Sequence, residues 1–473
     1  MAVDDFDICV IGAGSGGLSV AYASSHMGMK VAMIEAHKMG GDCLNFGCVP
    51  SKALLAAAHA AQGIRDAGRF GIAATEPQID FSAVHDHVHG VIAAIEPHDS
   101  AARYEGFGVD VIHGHARFTG PDRIEAGGRT IRARRFVIST GSRAVMPPIP
   151  GLDSVPAMTN EVLFDLTQRP DHLLIIGGGP IGCEMAQAHR QLGCRVTVLD
   201  MGPILPKDDP ELTDVVRRRL KADGVVLLEK VAVKSVSGSE GAITIAYEEG
   251  GEARSVSGSH LLVAAGRRAA IDDMGLEAAG IEHDRGGIRV DARLRTTNRR
   301  VYAIGDCVGP YQFTHLASYH AGIVVRNMLL KIPAKVNLKA FPWVTYTHPE
   351  LAHVGLSEEQ ARREHGEIVV TRFPFHEIDR AIAERDTEGL IKVVTTKRGR
   401  ILGAAIVGPR AGDLLQPWTL AISQGLKIGA VAGAVSPYPS YVEIGKRAAG
   451  AYFSPKIFSP CMQRLARLLA RFG

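Results

Sequence analysis

Two glycine-rich segments of the same design constrain the fold of this chain more than any other feature. Each has an apolar run, three spaced glycines, a helical stretch and a second apolar run that ends in an acid. A buried parallel strand reads as a near-continuous apolar run, so each segment predicts a strand–turn–helix–strand unit. The key residues are Gly12, Gly14, Gly17 and Glu35 in the first segment and Gly177, Gly179, Gly182 and Asp200 in the second. Their separation exceeds any solenoid period and predicts two domains of one design.

The glycine spacing has a physical explanation in dinucleotide binding. The first glycine permits a tight turn, the second lets a pyrophosphate approach the backbone, and the third lets the helix pack on the strand. The phosphate lies at the positive helix end, and the acid accepts hydrogen bonds from ribose hydroxyls. Two sites predict a flavin and a nicotinamide dinucleotide; the alternative is that one copy is an empty relic. Asp200 has no adjacent arginine and would repel a 2′-phosphate, which favours NADH over NADPH.

Composition and charge exclude several classes of protein. At roughly 150 residues per domain, 473 residues predict about three domains. The 53 basic and 50 acidic side chains leave a net charge of +3, which does not favour nucleic acid or an anionic membrane as partner. From Met1 onward the chain lacks a signal-peptide pattern, and no apolar run is long enough to span a membrane. Seven cysteines, an odd number, favour a reducing cytoplasm.

A pair of cysteines, Cys43 and Cys48, is the most informative short motif. In an unbroken helix positions five apart point to different faces, so a bridge between them needs a distorted turn. Gly47 and Pro50 are residue types that allow such a turn. A short, strained pair is labile and redox-active, and the nearby helix start and Lys52 would lower a thiolate pKa. The alternative is two free cysteines packed as small hydrophobic residues.

Six segments together carry a wider resemblance. They are GAGSGG at 12–17, GGDCLNFGCVPSK at 40–52, STG at 139–141, GGGPIGCE at 177–184, AAGR at 264–267 and YAIGDC at 302–307. With them the chain resembles the flavin-dependent pyridine nucleotide–disulfide oxidoreductases, which include dihydrolipoamide dehydrogenase, glutathione reductase and mercuric reductase. The resemblance implies an α/β fold with two Rossmann-like domains and a C-terminal α+β dimerisation domain. We expect an FAD-binding domain at 1–150 and 268–340, an NAD(P)-binding domain at 151–267 and the dimerisation domain at 341–473.

The same resemblance implies roles for individual residues. Cys48 would be the charge-transfer thiol that faces the flavin, and Cys43 the interchange thiol that meets substrate. A Lys52–Glu184 pair would lie near the flavin N5, and Asp306 would bind the flavin ribitol. Further cofactor contacts are expected at Gly41, Thr140, Gly141, Gly266 and Arg267. The family is homodimeric, and the third domain supplies part of the partner's active site.

One departure from the family pattern bears on the substrate. Lipoamide and glutathione reductases use a histidine before a proline, held by a glutamate five residues later; here the glutamate is Glu443 but the histidine position is Tyr438. A phenol, with a pKa of about 10, is a poor general base at neutral pH. Mercuric reductases are similar in having a tyrosine there. They also carry a C-terminal cysteine pair, of which only Cys461 is matched, followed by Met462. Cys461 is therefore either a soft-metal ligand or a packing residue.

These features predict an FAD-dependent NAD(P)H oxidoreductase that acts through a redox-active Cys43–Cys48 disulfide. Its substrate would be Hg(II), another thiol-reactive species, or a small disulfide. The alternative is a dihydrolipoamide dehydrogenase that oxidises dithiols with NAD⁺; a soluble transhydrogenase is disfavoured because it needs no cysteine pair. A different class of function is a flavoprotein subunit that docks on a larger complex through residues 461–473. That tail is a basic amphipathic helix, which either packs on the dimer or meets a partner or membrane surface.

Overall fold

The computed structural model describes residues 3–472, so Met1, Ala2 and Gly473 lie outside the described residues. Two expectations therefore lie partly outside the described residues: the one about the first residues of the chain and the one about the end of the tail helix.

The first segment of the chain carries seven strands and five helices. They are β1 (Val3–Ile11), α1 (Ser15–His26), β2 (Val31–Glu35), α2 (Gly41–Asn45), α3 (Cys48–Asp66), α4 (Phe81–Ile95), α5 (Ala101–Gly106), β3 (Val109–His113), β4 (Arg117–Gly120), β5 (Arg123–Ala126), β6 (Arg129–Ile138) and β7 (Ser142–Ala144).

The second segment repeats the strand–helix–strand design. Its elements are β8 (Ala157–Met158), α6 (Asn160–Leu163), β9 (His172–Ile176), α7 (Pro180–Gln191), β10 (Arg195–Asp200), α8 (Pro210–Ala222), β11 (Val226–Glu229), β12 (Ala232–Ser239), β13 (Ala242–Glu249), β14 (Glu252–Gly258) and β15 (His260–Val263). The chain then returns to the first domain through β16 (Arg267–Ala269), β17 (His283–Asp284), β18 (Gly287–Ile288), β19 (Val301–Ala303) and α9 (Thr314–Met328).

The last segment is the third domain. It contains β20 (Pro342–Thr345), β21 (Glu350–Gly355), α10 (Glu358–His365), β22 (Ile368–Pro374), α11 (Asp379–Ala383), β23 (Leu390–Thr396), β24 (Ile401–Gly408), α12 (Ala411–Leu414), α13 (Gln416–Ser423), α14 (Ile428–Ala432), α15 (Glu443–Ala451), α16 (Ser454–Ile457) and α17 (Pro460–Leu469).

Both predicted strand–helix–strand units form parallel sheets. In the first domain β3, β2, β1 and β6 are parallel neighbours, β19 pairs parallel with β6, and β5 and β4 extend the sheet antiparallel. In the second, β11, β10, β9, β15 and β8 are all parallel, beside the antiparallel meander β12–β13–β14. Apolar clusters cover both faces of each parallel sheet, which explains the uninterrupted apolar strands in the sequence.

The sequence pattern is sufficient to predict the third domain but not the break between α4 and α5. The third sheet, β20–β21–β24–β23–β22, is wholly antiparallel and packs on α13 and α15, as an α+β domain requires. The sequence pattern over 82–106 predicts a helical stretch, and the structure divides it in two: α4 ends at Ile95 and α5 begins at Ala101. Pro97 lies in the break, and a proline cannot donate the hydrogen bond that would continue the helix.

Both crossings between the first two domains run side by side. Strand β7 pairs antiparallel with β16, with Ser142 opposite Ala269 and Ala144 opposite Arg267. The structure therefore places the crossings next to the end of β6, beside the first glycine loop. The boundaries at 150/151 and 267/268 stay predictions.

Candidate active site

The first glycine loop is packed against the end of strand β6. Gly12 has a φ of +100°, and a Cβ there would lie 2.5 Å from the Ser139 carbonyl oxygen. A Cβ on Gly17 would lie 1.9 Å from the Gly12 carbonyl oxygen, so α1 packs directly on the turn. Gly14 immediately precedes α1 and lines the cavity, where a Cβ on Gly41 would come within 2.8 Å of its Cα. Side chains would fill this cradle, as expected for a pyrophosphate site.

Glu35 closes the loop from the next strand. Its Oε2 accepts a hydrogen bond from the Ala13 amide at 2.7 Å and its Oε1 accepts one from the His37 amide at 2.8 Å. These bonds fix the carboxylate at the carboxyl end of β2. Each oxygen keeps a lone pair, which suits a carboxylate that also accepts from ribose hydroxyls.

The second glycine loop repeats this geometry almost atom for atom. A Cβ on Gly177 would lie 2.4 Å from the Ala264 carbonyl oxygen, and one on Gly182 would lie 1.9 Å from that of Gly177. Gly179 immediately precedes α7 and lines the cavity. Asp200 accepts hydrogen bonds from the Gly178 amide at 2.6 Å and the Gly202 amide at 2.7 Å. Both predicted units therefore have the form of intact dinucleotide sites.

One cavity of about 1710 Å³ connects the two loops. A pocket for a single drug-sized ligand has about 300–1,000 Å³. The cavity wall runs from Gly14 past Cys48, Lys52 and Glu184 to Asp200. Its size and the two cradles fit two dinucleotides that meet beside the cysteine pair.

The cysteine pair lies on this wall. Cys43 lies within α2, and Cys48 begins α3 after Gly47, whose added Cβ would clash with Asp42. Both are free thiols. Their proximity lowers the pKa of Cys48, with Thr314 and Lys52 acting in the same direction, and raises the pKa of Cys43.

Thr314 was not found from the sequence. Its Oγ1 lies 3.3 Å from Cys48 Sγ, although the two residues are 266 positions apart. It begins α9, so the hydroxyl and the positive end of that helix both face the sulfur. No local motif marks it, because only the return of the chain after the inserted domain brings it there.

An ion pair joins the two domains beside the cysteines. Lys52 Nζ lies 2.8 Å from Glu184 Oε2, so α3 of the first domain is tied to α7 of the second. The Glu184 side chain is 6% exposed and that of Lys52 is 37% exposed. The Tyr346 amide donates to Glu184 Oε1 at 2.9 Å, and Lys52 Nζ lies 4.5 Å from the Tyr346 ring centroid. The predicted pair is thus brought together, with Tyr346 as an addition that the sequence analysis missed.

Several predicted cofactor residues meet in a polar network near the domain crossing. Asp306 Oδ2 accepts from Ser142 Oγ at 2.7 Å, and burial raises the pKa of Asp306. Arg267 donates to Ser142 Oγ at 2.8 Å and lies 3.0 Å from Asp42 Oδ1. The network links the crossing ribbon to the residue beside Cys43. Thr140, Gly141 and Gly266 lie in the turns that follow β6 and β15.

Tyr438 has a partner that the sequence did not indicate. Its hydroxyl donates to Asp379 Oδ2 at 2.8 Å, and this bond raises the pKa of the phenol. The ring is 70% exposed. Glu443, which the family pattern would set beside residue 438, instead accepts from the Ser440 amide at 3.4 Å. The tyrosine therefore stays neutral at physiological pH.

Cys461 lies on α17 and is exposed. Across residues 3–472 no group of three or more histidine, cysteine, aspartate or glutamate side chains is arranged to hold a metal ion. The soft-metal role of Cys461 stays a prediction. No helix within the described residues is long and apolar enough to cross a membrane.

Comparisons with known proteins agree with this geometry. Residues 6–321 match the pyridine nucleotide-disulphide oxidoreductase family, and residues 341–449 match its dimerisation domain. A mercuric reductase from Streptomyces lividans is 36% identical over 95% of this chain and 96% of its own length. A dihydrolipoyl dehydrogenase from Geobacillus stearothermophilus is 34% identical over 95% and 97%.

The solved structures agree as well. The HOCl-induced flavoprotein disulfide reductase RclA from Escherichia coli superposes with a TM-score of 0.85 at 28% identity, covering 94% of this chain and 99% of its own. These matches confirm the predicted fold, with its two Rossmann-like domains and dimerisation domain. The chain therefore belongs to the flavin-dependent pyridine nucleotide-disulphide oxidoreductases, enzymes that bind FAD and use NAD(P)H.

Proposed function

We propose that this enzyme uses NADH to reduce a soft, thiol-reactive metal species such as Hg(II) at the Cys43–Cys48 pair. The observation that carries the proposal is the hydrogen-bonded phenol at position 438, where a disulfide-exchanging relative has an imidazole. Asp379 raises the pKa of Tyr438, so this residue does not take a proton from a substrate dithiol at neutral pH. A soft metal ion needs no such base, because its binding to sulfur itself displaces the thiol proton.

Bound FAD supplies the two-electron link between the pyridine nucleotide and the cysteine pair. Reduction of the Cys43–Cys48 disulfide by two electrons and one proton breaks the S–S bond, leaving a Cys48 thiolate and a Cys43 thiol. Thr314 and Lys52 stabilise the thiolate charge on Cys48. Cys43, which keeps its proton more strongly, is the sulfur that meets the substrate.

The remaining residues of the site bind and orient the two dinucleotides. Gly12, Gly14, Gly17 and Glu35 would hold FAD. Asp306 would bind its ribitol, and Lys52, oriented by Glu184, would supply a positive charge to the reduced flavin. Gly177, Gly179, Gly182 and Asp200 hold the pyridine nucleotide.

The preference for NADH is supported by the surroundings of Asp200. Strand register sets Glu229 opposite Asp200, and Glu229 neutralises Arg217 at 2.9 Å. Asp200 and Glu229 are both carboxylates, and the arginine among these residues is already paired. Their charge disfavours binding of the 2′-phosphate of NADPH.

The chain carries the family's dimerisation domain, and we propose a homodimer in which Tyr438 and Glu443 enter the partner's active site. Cys461 and Met462 would then offer a second soft-donor position to the incoming metal. We propose a reducing cytoplasm as the location, because the seven cysteines are an odd number and most are scattered singly along the chain.

The second candidate is dihydrolipoamide oxidation with NAD⁺. It is supported by the intact cysteine pair and by relatives of that name. Steady-state assays of the purified holoenzyme with Hg(II), lipoamide and glutathione disulfide decide between the two. The proposal expects Hg(II)-dependent NADH oxidation that Cys43→Ser abolishes, with negligible lipoamide turnover; robust lipoamide turnover would refute the argument from Tyr438.

Substitution of Tyr438 tests whether a general base at this position determines the choice of substrate. We expect Tyr438→His to raise lipoamide turnover and leave Hg(II)-dependent activity within about tenfold, since general base catalysis contributes about 10²–10⁴-fold. Tyr438→Phe should change lipoamide turnover little. Cys461→Ser tests the second metal position: a fall in Hg(II)-dependent activity at low metal supports it, and unchanged activity contradicts it.

A further inference from the structure

The end of the chain differs in charge from the rest. Residues 444–473 contain no aspartate or glutamate, whereas the preceding 443 residues have 47 basic and 50 acidic side chains. The six basic residues are Lys446, Arg447, Lys456, Arg464, Arg467 and Arg471. The near-neutral total therefore hides a strongly cationic terminus.

Helix α17, with the residues just before and after it, carries three of these cations beside an apolar stripe. At about 100° per residue, side chains three and four apart share a face. The stripe consists of Phe458, Met462, Leu465, Leu468, Leu469 and Phe472, all exposed. Arg464, Arg467 and Arg471 lie on one flank. Ser459 caps the helix by accepting from the Met462 amide at 3.4 Å.

Nothing in the described chain covers this stripe. Every residue from Pro460 to Phe472 is exposed, and α17 contacts the short helix α16. Contiguous apolar surface of this kind marks a protein or membrane contact. The stripe is therefore an interaction surface, and the arginines beside it indicate the charge of its partner.

Charge and position favour an anionic lipid surface over a second copy of the chain. The dimerisation-domain match ends at residue 449, before α17 begins. Self-pairing of the stripe would bring like-charged arginines together. A helix with phenylalanine and leucine on one face and arginines beside them matches an interfacial helix, whose apolar face enters the acyl boundary. Arginine guanidinium groups bind lipid phosphates in bidentate geometry.

We propose that α17 docks the enzyme on an anionic lipid bilayer, with the apolar stripe in the acyl boundary and the arginines on lipid phosphates. In a dimer two such helices would bind the same vesicle, which raises the apparent affinity. The Cys43–Cys48 pair is not involved, so the docking does not depend on the substrate. It is an alternative to the second metal position at Cys461 and Met462, because a helix held at the acyl boundary cannot also enter the partner's active site.

The test is flotation of the purified FAD-loaded enzyme with vesicles. One set is pure phosphatidylcholine and the other contains 30% phosphatidylglycerol, a composition about one-third anionic. We expect the enzyme to float with the anionic vesicles and to remain behind with the neutral ones. Replacement of Arg464, Arg467 and Arg471 by glutamine should lower the partition coefficient about 100-fold, since each cation contributes roughly a factor of five.

Two matched variants complete the design. Glutamine at Arg285, Arg299 and Arg398, three exposed arginines elsewhere, removes the same charge and should leave flotation unchanged. Leu465→Ser with Leu468→Ser should release the enzyme while NADH–dye activity is retained. The proposal is overturned if the wild type does not bind anionic vesicles, or if the tail variants still bind. It is also overturned if they dissociate the dimer, which would make α17 a subunit contact, or if the tail binds polyglutamate but no vesicles.

Discussion

The two dinucleotide units use one backbone design for two different tasks. In both, a Cβ added to the third glycine would lie 1.9 Å from the carbonyl oxygen of the first glycine. In both, the acid at the end of the second strand accepts hydrogen bonds from two backbone amides. What differs is the chain that follows. After Glu35 the first unit continues into the cysteine helix, whereas after Asp200 the second continues into Met201 and Gly202.

Both units therefore have the loop that binds a dinucleotide, but only the first also carries the cysteine pair. The shared loop geometry is a requirement of placing a phosphate against a backbone, so it recurs unchanged. The cysteine pair to which we assign the chemistry belongs to the first unit alone. The second unit contributes Glu184 to the ion pair that joins the two units. Substitutions can therefore disable one unit and leave the other intact.

The largest effect is expected from Cys48→Ser. We expect substrate-dependent NADH oxidation to fall more than about 10³-fold, as for loss of an essential nucleophile. NADH-dependent reduction of a one-electron dye, which bypasses the cysteines, should persist. Loss of both activities would contradict the assignment of chemistry to the first unit.

Matched glycine substitutions distinguish the two loops. Gly182→Ala should raise KM for NADH strongly with FAD retained, and Gly17→Ala should lose FAD, because each new Cβ meets a carbonyl oxygen at 1.9 Å. Each is expected to cost about 1–3 kcal/mol in the free energy of unfolding. Flavin absorbance and thermal melts give the readout; equal flavin content in the two variants would break the comparison.

Lys52→Met tests the contact between the units. It leaves the buried Glu184 carboxylate without its cation, and we expect a loss of about 1–3 kcal/mol in the free energy of unfolding. Lys52→Arg, which keeps the charge, is the control. A melting temperature equal to that of the wild type would show that the pair does not couple the domains.

Asp200→Asn sharpens the difference between the two closing acids. Removing the charge should lower KM for NADPH about tenfold, since repulsion of the 2′-phosphate is relieved, with KM for NADH rising. The NADPH/NADH ratio of kcat/KM is the measurement. An unchanged ratio would mean that another residue sets the preference.

The smallest effect is expected at Thr314. The pKa of Cys48 lies below its ordinary value, so the thiolate is present at neutral pH and is lost as the pH falls through that pKa. Thr314→Val removes one stabilising donor, and the midpoint of Cys48 alkylation in the reduced enzyme should move to higher pH by up to about one unit. Thr314→Ser should leave the midpoint in place.

The sequence allows prediction of those parts of the site whose residues are neighbours along the chain. The glycine loops, Glu35, Asp200 and the cysteine segment each carry their own local pattern. Thr314 and Asp379 do not, because their partners lie 266 and 59 positions away and only the folded sheets bring them together. Glu443, although correctly spaced, accepts from the Ser440 amide, while the hydroxyl of Tyr438 donates to Asp379.

Long elements were predictable where periodicity was uninterrupted, as in the parallel strands of both nucleotide domains. The helical stretch over 82–106 is divided at Pro97, where a single missing amide outweighs the apolar pattern. Pairing of β7 with β16 was also missed, since three-residue strands carry no periodic signal.

That ribbon has a consequence for engineering and evolution. Because Ala144 lies opposite Arg267, the chain leaves the first domain and re-enters it at adjacent positions, about 5 Å apart by strand spacing. The stretch between these positions is therefore an insertion whose two ends are neighbours in space. A homologous second domain could be grafted between the same two positions, or the stretch replaced by a short hairpin, without changing the path of the chain through the first domain.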